Sequence, residues 1–266
     1  MSPPKDRVRL AAIGDLHYAR TTQGMVQPIM ARLADEADIL LLCGDLTDYG
    51  LTEEARLLTR EISGAIKIPI VAVLGNHDYE SGAQEEIRSI LSAAGIVVLD
   101  GDTCEIHGVG FAGVKGFAGG FGRGTLGPWG EPVVKAFVRE AVDEALKLET
   151  ALARLRTPHR IALLHYAPIA ATVEGEPREI FPFLGCSRLE EPLTRYPVTA
   201  VFHGHAHHGQ PEGRTRNGVP VFNVSLSLMR AIDPNRPYRV VDIVDGQVQT
   251  TERRAGVDRR AREIEP

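Results

Sequence analysis

A stretch rich in histidine stands out at residues 201–209. It carries four histidines, at positions 203, 205, 207 and 208, and it follows an apolar run that is typical of a buried strand. A neutral imidazole is the commonest transition-metal ligand, and His205 and His207 are spaced so that both can reach adjacent metal positions. The stretch therefore indicates a metal site, although a surface loop that binds metals adventitiously fits the same composition.

Four further stretches place ligand-type side chains directly after a predicted strand. The predicted strands are residues 8–13, 39–43, 68–74 and 161–164. The side chains that follow them are Asp15-Leu16-His17, Gly44-Asp45-Leu46-Thr47-Asp48, Gly75-Asn76-His77-Asp78 and His165. In an open α/β sheet the carboxyl ends of the strands share one edge, where sites assemble. The sequence thus predicts one site built from several strand ends.

The remaining elements must hold those strand ends in place. Helical periodicity predicts helices over 24–37 and 134–155. Thr52 is predicted to cap a helix that Gly64 ends, and a Ser81–Gln84 capping box is predicted to start a helix that runs to Ala94. Short strands are predicted within 95–111 and at 198–202, 219–224 and 238–244. The glycine-rich segment 112–130 is either a flexible connector or a loop in which Lys115, Arg123 and Trp129 meet a phosphate and a ring.

Taken together, the five stretches resemble the signature of the calcineurin-like metallophosphoesterase superfamily, over residues 8 to about 226. The resemblance implies an α/β fold, a four-layer α/β/β/α sandwich of two mixed sheets with two divalent metal ions. The ligands that it implies are Asp15, His17, Asp45 and His207 for one ion, and Asp45, Asn76, His165 and His205 for the other. Residues 1–252 are predicted to form a single domain, with 253–266 as a charged tail.

The implied chemistry is an attack on phosphorus by a hydroxide that bridges the two ions. Oxygen and imidazole ligands suit Mn²⁺, Fe, Co²⁺ or Zn²⁺, and Mn²⁺ is the expected metal for activity. By the same resemblance His77 faces the scissile phosphate as a proton or hydrogen-bond donor, while Asp48 holds its other nitrogen. Asn76, His208 and Arg123 are the expected substrate-binding residues. Asp48 as a helix-entry residue is the alternative for that position.

The substrate class stays open between several phosphate esters. Phosphoprotein phosphatases of the superfamily carry an arginine after the second aspartate of the Gly-Asp motif, where this chain has Tyr49. Phosphodiesters are favoured over phosphomonoesters, and a nucleotide is one candidate substrate. A net charge of −5 does not favour a DNA nuclease, which needs a basic groove. A metal-binding scaffold without turnover is the remaining alternative.

Composition narrows the class of protein further. The 43% hydrophobic content over 266 residues is enough for a sizeable core. The three cysteines are widely spaced and odd in number, which favours reduced thiols over a disulfide framework. No apolar run is long enough for a membrane span, and no apolar signal segment follows the first charged residues. A cytoplasmic protein is expected, with the oligomeric state undetermined.

Overall fold

The computed structural model describes residues 7–244 and 247–250, which form two six-stranded sheets with helices outside them. The strands of this part of the chain are β1 Arg7–Ile13, β2 Ile39–Cys43, β3 Ile70–Val73, β4 Val97–Val98, β5 Asp102–Ile106, β6 Val109–Gly113, β7 His159–Leu163, β8 Ala200–His203, β9 Glu212–Arg214, β10 Pro220–Asn223, β11 Arg239–Val244 and β12 Gln247–Thr250. The α-helices are α1 Gln27–Glu36, α2 Thr52–Ala65, α3 Gln84–Ala93, α4 Pro132–Arg154, α5 Phe181–Leu184, α6 Glu190–Arg195 and α7 Leu226–Ile232.

Both sheets are mixed, as predicted. The first has the order β12-β11-β1-β2-β3-β4, in which β1 to β4 are parallel and β11 and β12 are antiparallel to their neighbours. The second has the order β5-β6-β7-β8-β10-β9, with β6, β7, β8 and β10 parallel. Parallel strands end at the same edge, so each sheet delivers several strand ends to one place.

Three layers of apolar side chains separate the sheets and helices. Alternate residues of a strand point to opposite faces of its sheet, and β2 is apolar at every position. Leu40 and Leu42 pack towards helices α1 to α3, whereas Leu41 faces the second sheet, where it joins Phe111 and Phe202. A third layer lies between the second sheet and helices α4 and α6. The predicted α/β/β/α sandwich is therefore confirmed.

Two predicted helix caps were wrong. Helix α2 begins at Thr52, but Leu51 precedes it as the capping residue, and the Glu54 side chain reaches back to accept the Leu51 N–H at 3.2 Å. Helix α3 begins at Gln84 without any side-chain cap. The Ser81 hydroxyl donates to the Gly50 carbonyl instead, so it ties two loops together rather than starting a helix.

Two predictions concern the ends of the chain and the membrane. The predicted charged tail, 253–266, lies outside the described residues. Among the helices that the structure does describe, none is both long enough and apolar enough to cross a bilayer.

Candidate metal centre

The strand ends bring metal-ligand side chains together in one cluster, here called the ligand cluster. It consists of the seven residues Asp15, His17, Asp45, Asn76, His165, His205 and His207. Ligand atoms within 4.8 Å of one another form three overlapping groups, which are Asp15 with His17 and His207, His17 with Asp45 and His77, and Asp45 with His165 and His205. The Asn76 Oδ1 lies 2.9 Å from the His165 Nε2. Asp45 belongs to two of the groups, so it is placed where one carboxylate could serve two ions.

Backbone amides hold the two carboxylates of the cluster. The His77 N–H donates to the Asp45 Oδ1 at 2.8 Å, and the His205 N–H donates to the Asp15 Oδ1 at 2.9 Å. These approaches need glycine in the motifs. A Cβ at Gly75 would lie 2.2 Å from the Asp45 Oδ1, and one at Gly204 would lie 2.3 Å from the Asp15 Oδ2. The motif glycines are therefore explained by close contact with the carboxylates.

Backbone carbonyls orient two of the histidines. The His165 Nδ1 lies 3.0 Å from the Cys43 carbonyl oxygen, and the His205 Nε2 lies 3.2 Å from the Phe183 carbonyl oxygen. A metal-binding histidine commonly donates its second ring N–H to such a carbonyl, which fixes the tautomer and the ring orientation. His165 thus keeps its Nε2 for the cluster, where that atom lies 3.3 Å from the Asp45 Oδ1.

The structure corrects the expected role of the Asp48 carboxylate. The His77 Nδ1 lies 2.7 Å from the main-chain oxygen of Asp48, not from its side chain. The carboxylate lies instead 3.3 Å from the His17 Nδ1. The physical reason is the turn after β2, which points the Asp48 carbonyl at one ring and its side chain at the other. Asp48 therefore contacts two histidines through different groups.

This arrangement predicts a metal-binding defect for Asp48→Asn. The variant keeps the main-chain contact to His77 but removes the charge beside His17, and such outer contacts typically contribute 10–100-fold in metal affinity. We expect an affinity loss of roughly tenfold or more for one of two ions, measured by titration of chelator-treated protein. Equal metal affinity in the wild type and in Asp48→Asn, together with a large loss of rate in the variant, would instead mean that the Asp48 carboxylate acts on His77.

The backbone is strained at the cluster. Five non-glycine residues of the described chain have positive φ angles, and four of them are Asp15 (56°), His17 (42°), Asp45 (47°) and His205 (70°). Such conformations cost on the order of 1–3 kcal/mol each and gather at functional sites. The fifth is His107, in the tight turn between β5 and β6. The strain therefore coincides with the predicted ligands, which is the pattern of a built site.

The charges of the cluster fit a bound cation. Burial and the neighbouring carboxylates of Asp15 and Asp78 raise the pKa of Asp45 to about 9. Within 7–244 and 247–250, no hydrogen bond or ion pair joins a lysine or arginine side chain to the ligand cluster. The His17 Nε2 is buried without a hydrogen-bond partner, 3.7 Å from the Asp45 Oδ2. A divalent ion would satisfy this atom and neutralise the carboxylates.

Three of the four imidazoles of the ligand cluster are in the protonation state that binds metals, whereas the hydrogen bond to Asp15 raises the pKa of His207. Burial lowers the pKa of His17, of His165, and of His205 to about 3, so these rings are neutral near pH 7. A neutral imidazole offers the lone pair that a metal needs. The residues of the cluster therefore match two divalent ions in charge and in donor chemistry.

Sequence reasoning gave no role to Asp78, which is fully buried. Its carboxylate accepts hydrogen bonds from the Gly75 N–H (2.8 Å), the Thr47 N–H (2.8 Å), the Thr47 hydroxyl (2.7 Å) and the Leu46 N–H (3.2 Å). These bonds join the loop after β2 to the loop after β3, and so set the position of Asp45 relative to Asn76. The only signal in the sequence is its place in Gly-Asn-His-Asp.

Three other residues, His203, His208 and Arg123, lie outside the ligand cluster. His203 is a packed strand residue, and its Nε2 lies 2.8 Å from the Thr172 hydroxyl. His208 is exposed, and its backbone N–H donates to Glu176. Arg123 is exposed in a 3₁₀ turn of the glycine-rich segment. Neither His208 nor Arg123 shares a ligand group with the cluster in the described chain, so their predicted contact with substrate stays a prediction.

Comparison with known families decides which family this site belongs to. The sequence pattern of the calcineurin-like phosphoesterases matches residues 8–209. The chain belongs to the calcineurin-like phosphoesterase family. That stretch contains all five motifs and every residue of the ligand cluster. No curated protein sequence matches the chain significantly.

Solved structures share the fold of this calcineurin-like phosphoesterase. TT1561 of Thermus thermophilus is 13% identical with a TM-score of 0.53, and the match covers 91% of this chain and 97% of that one. GAP50, the anchor in the inner membrane complex of Plasmodium, is 10% identical with a TM-score of 0.59, and the match covers 92% of this chain and 83% of that one. At these identities the likeness supports the fold alone.

Proposed function

We propose that the chain is a metal-dependent phosphoesterase that hydrolyses phosphodiesters in preference to phosphomonoesters. The observation that carries the proposal is the convergence of the ligand cluster around Asp45, which two ligand groups share. Two ions, when bound, supply positive charge for the phosphate and acidify the water that they coordinate. We propose Mn²⁺ as the activating metal, while Fe, Co²⁺ and Zn²⁺ suit the same donors.

The preference for diesters is supported by the charge of the site. A monoester dianion is commonly held by cationic side chains as well as by metal, because it carries more charge than a diester. In the described chain no lysine or arginine side chain bonds to the ligand cluster. The charge of Lys115 acts on His165, but its Nζ donates to the Gly116 carbonyl. A diester carries one negative charge and needs fewer cations, so it suits this site better.

The remaining catalytic roles are assigned to His77 and Asn76. His77 lies beside the cluster, with its ring centroid 4.5 Å from that of His17. Because its Nδ1–H donates to the Asp48 carbonyl, the proton that it exchanges is carried on the Nε2. We assign that nitrogen to the leaving oxygen of the ester. We assign the side-chain amide of Asn76, whose Oδ1 lies 2.9 Å from the His165 Nε2, to contact with the phosphate.

A substrate comparison tests this proposal. We expect chelator-treated protein to hydrolyse bis-p-nitrophenyl phosphate after addition of Mn²⁺, with a kcat/KM roughly tenfold above that for p-nitrophenyl phosphate. Release of p-nitrophenolate is followed by absorbance. The reverse preference would make the protein a monoesterase. Absence of turnover on both esters, with the metal bound, would favour a non-catalytic scaffold.

A nuclease on the same site is the second candidate, and salt separates it from a small-molecule diesterase. DNA binding through phosphate contacts weakens steeply as salt rises. The net charge of −5 opposes such binding. We expect short single-stranded DNA to be a poor substrate with a shallow salt dependence. Efficient cleavage that falls steeply between low and moderate salt would establish the nuclease.

A further inference from the structure

Two residues with exposed aromatic side chains lie on backbone that contacts histidines at the ligand cluster. Tyr49 is 60% exposed and Phe183 is 59% exposed. In each case a main-chain carbonyl, of the residue itself or of the residue before it, contacts a histidine. Tyr49 follows Asp48, whose carbonyl contacts His77, and the Phe183 carbonyl itself contacts His205. The two side chains, here called the aromatic pair, are therefore carried by backbone that contacts two different histidines.

The backbone under Phe183 is fixed by the glycine-rich segment. The Gly119 N–H donates to the Pro182 carbonyl at 2.7 Å, and the Gly120 N–H donates to the Gly185 carbonyl at 2.8 Å. On its other side, the Ala167 N–H donates to the Leu184 carbonyl at 3.0 Å. Helix α5 is thus hydrogen-bonded to the glycine-rich segment on one side and to the backbone of Ala167 on the other. This gives the glycine-rich segment a structural role, since it clamps the residue whose carbonyl orients His205.

The backbone under Tyr49 is fixed as well. The Glu54 carboxylate, which is 3% exposed, accepts the N–H groups of Tyr49 at 3.0 Å and Leu51 at 3.2 Å. The Gly50 carbonyl between them accepts the Ser81 hydroxyl. Both members of the aromatic pair therefore combine a fixed main chain with a ring that the fold leaves exposed. Because the main chain is already fixed, only the side-chain torsions must be ordered when a ligand packs on the ring.

We propose that the aromatic pair forms a subsite for a planar ring carried by the substrate. This inference rests on the proposed phosphoesterase function and names its substrate class, which is phosphate esters with an aryl group or a nucleobase next to the phosphate. Stacking of a ring on an aromatic side chain is sequence-tolerant and strong enough to set specificity. The phosphate is held by the cluster, and the ring packs on Phe183 or Tyr49.

Binding of two phosphonates to Mn²⁺-loaded protein tests the subsite without any need for turnover. Phenylphosphonate and methylphosphonate share the phosphonate group and differ in the ring. We expect the wild type to bind phenylphosphonate roughly tenfold more tightly by calorimetry. Phe183→Ala or Tyr49→Ala should remove most of that preference while leaving the affinity for methylphosphonate and the metal content unchanged. Phe183→Tyr should keep it.

Leu146→Ala is the matched control, because Leu146 is 51% exposed on helix α4, outside the motifs. Equal affinity of the wild type for both phosphonates, or a preference that survives in both alanine variants, would overturn the subsite. A ring preference without hydrolysis of any ester would leave the subsite standing and refute the phosphoesterase proposal. The two inferences can therefore fail separately.

Discussion

Asp45→Ala is expected to lose both metal ions and nearly all activity. Asp45 is shared by two ligand groups, so its removal takes a donor from each position at once. It also removes one of the two carboxylates that make the cluster attractive to cations. We expect about two ions per chain in the wild type and a small fraction of that in the variant, with turnover lower by at least roughly 10³-fold. Elemental analysis after gel filtration gives the metal content.

Two further variants show whether the metal loss comes from the missing charge at Asp45, from the changed side-chain shape or from a general loss of folding. Asp45→Asn keeps the volume of the side chain and an oxygen for the His77 N–H, and it should still lose the metals, because the charge is gone. Asp242→Asn alters another buried carboxylate, which is paired with Arg7 at 2.6 Å and Arg9 at 2.9 Å on the first sheet. That variant should keep both ions. If Asp45→Ala bound two ions, the shared-carboxylate assignment would be wrong.

The predictable part of the site is the part that depends on strand ends. Apolar strands such as 39–43 are recognisable from composition alone, and a polar residue directly after such a strand must lie at the sheet edge. Asp15, Asp45 and His165 were placed correctly for this reason. Their positions follow from the order of residues along the chain, without knowledge of side-chain torsions. Their roles as ligands stay predictions until metal binding is measured.

The unpredictable part depends on where single backbone groups point. The carbonyls of Cys43, Asp48 and Phe183 orient three histidines, yet a carbonyl is present at every residue and leaves no mark in the sequence. In the turn after β2, where Asp45 has a φ of 47°, the Asp48 side chain reaches His17. The misplaced cap at Thr52 has the same origin, since Glu54 reaches back past it.

His77→Ala is expected to keep the metals and lose rate. If His77 gives a proton to the leaving oxygen, its removal should lower kcat by about 10²–10⁴-fold, with two ions still bound. His159→Ala is the matched control, because this histidine lies at the start of β7, away from the motifs, and should leave the rate unchanged. His77 also shares a ligand group with His17 and Asp45. Loss of an ion from His77→Ala would therefore make His77 a ligand.

Esters with different leaving groups show whether His77→Ala loses rate because a proton donor is missing or because the phosphate is no longer positioned. A p-nitrophenolate ion leaves readily without a proton, whereas a phenolate or alkoxide leaves slowly unless its oxygen is protonated. The rate lost in His77→Ala should therefore be greater for a phenyl ester than for the p-nitrophenyl ester, by roughly tenfold. A loss of equal size for both esters would mean that His77 only positions the phosphate. Because both esters meet the same metals, the ratio of their losses isolates the proton from every other contribution.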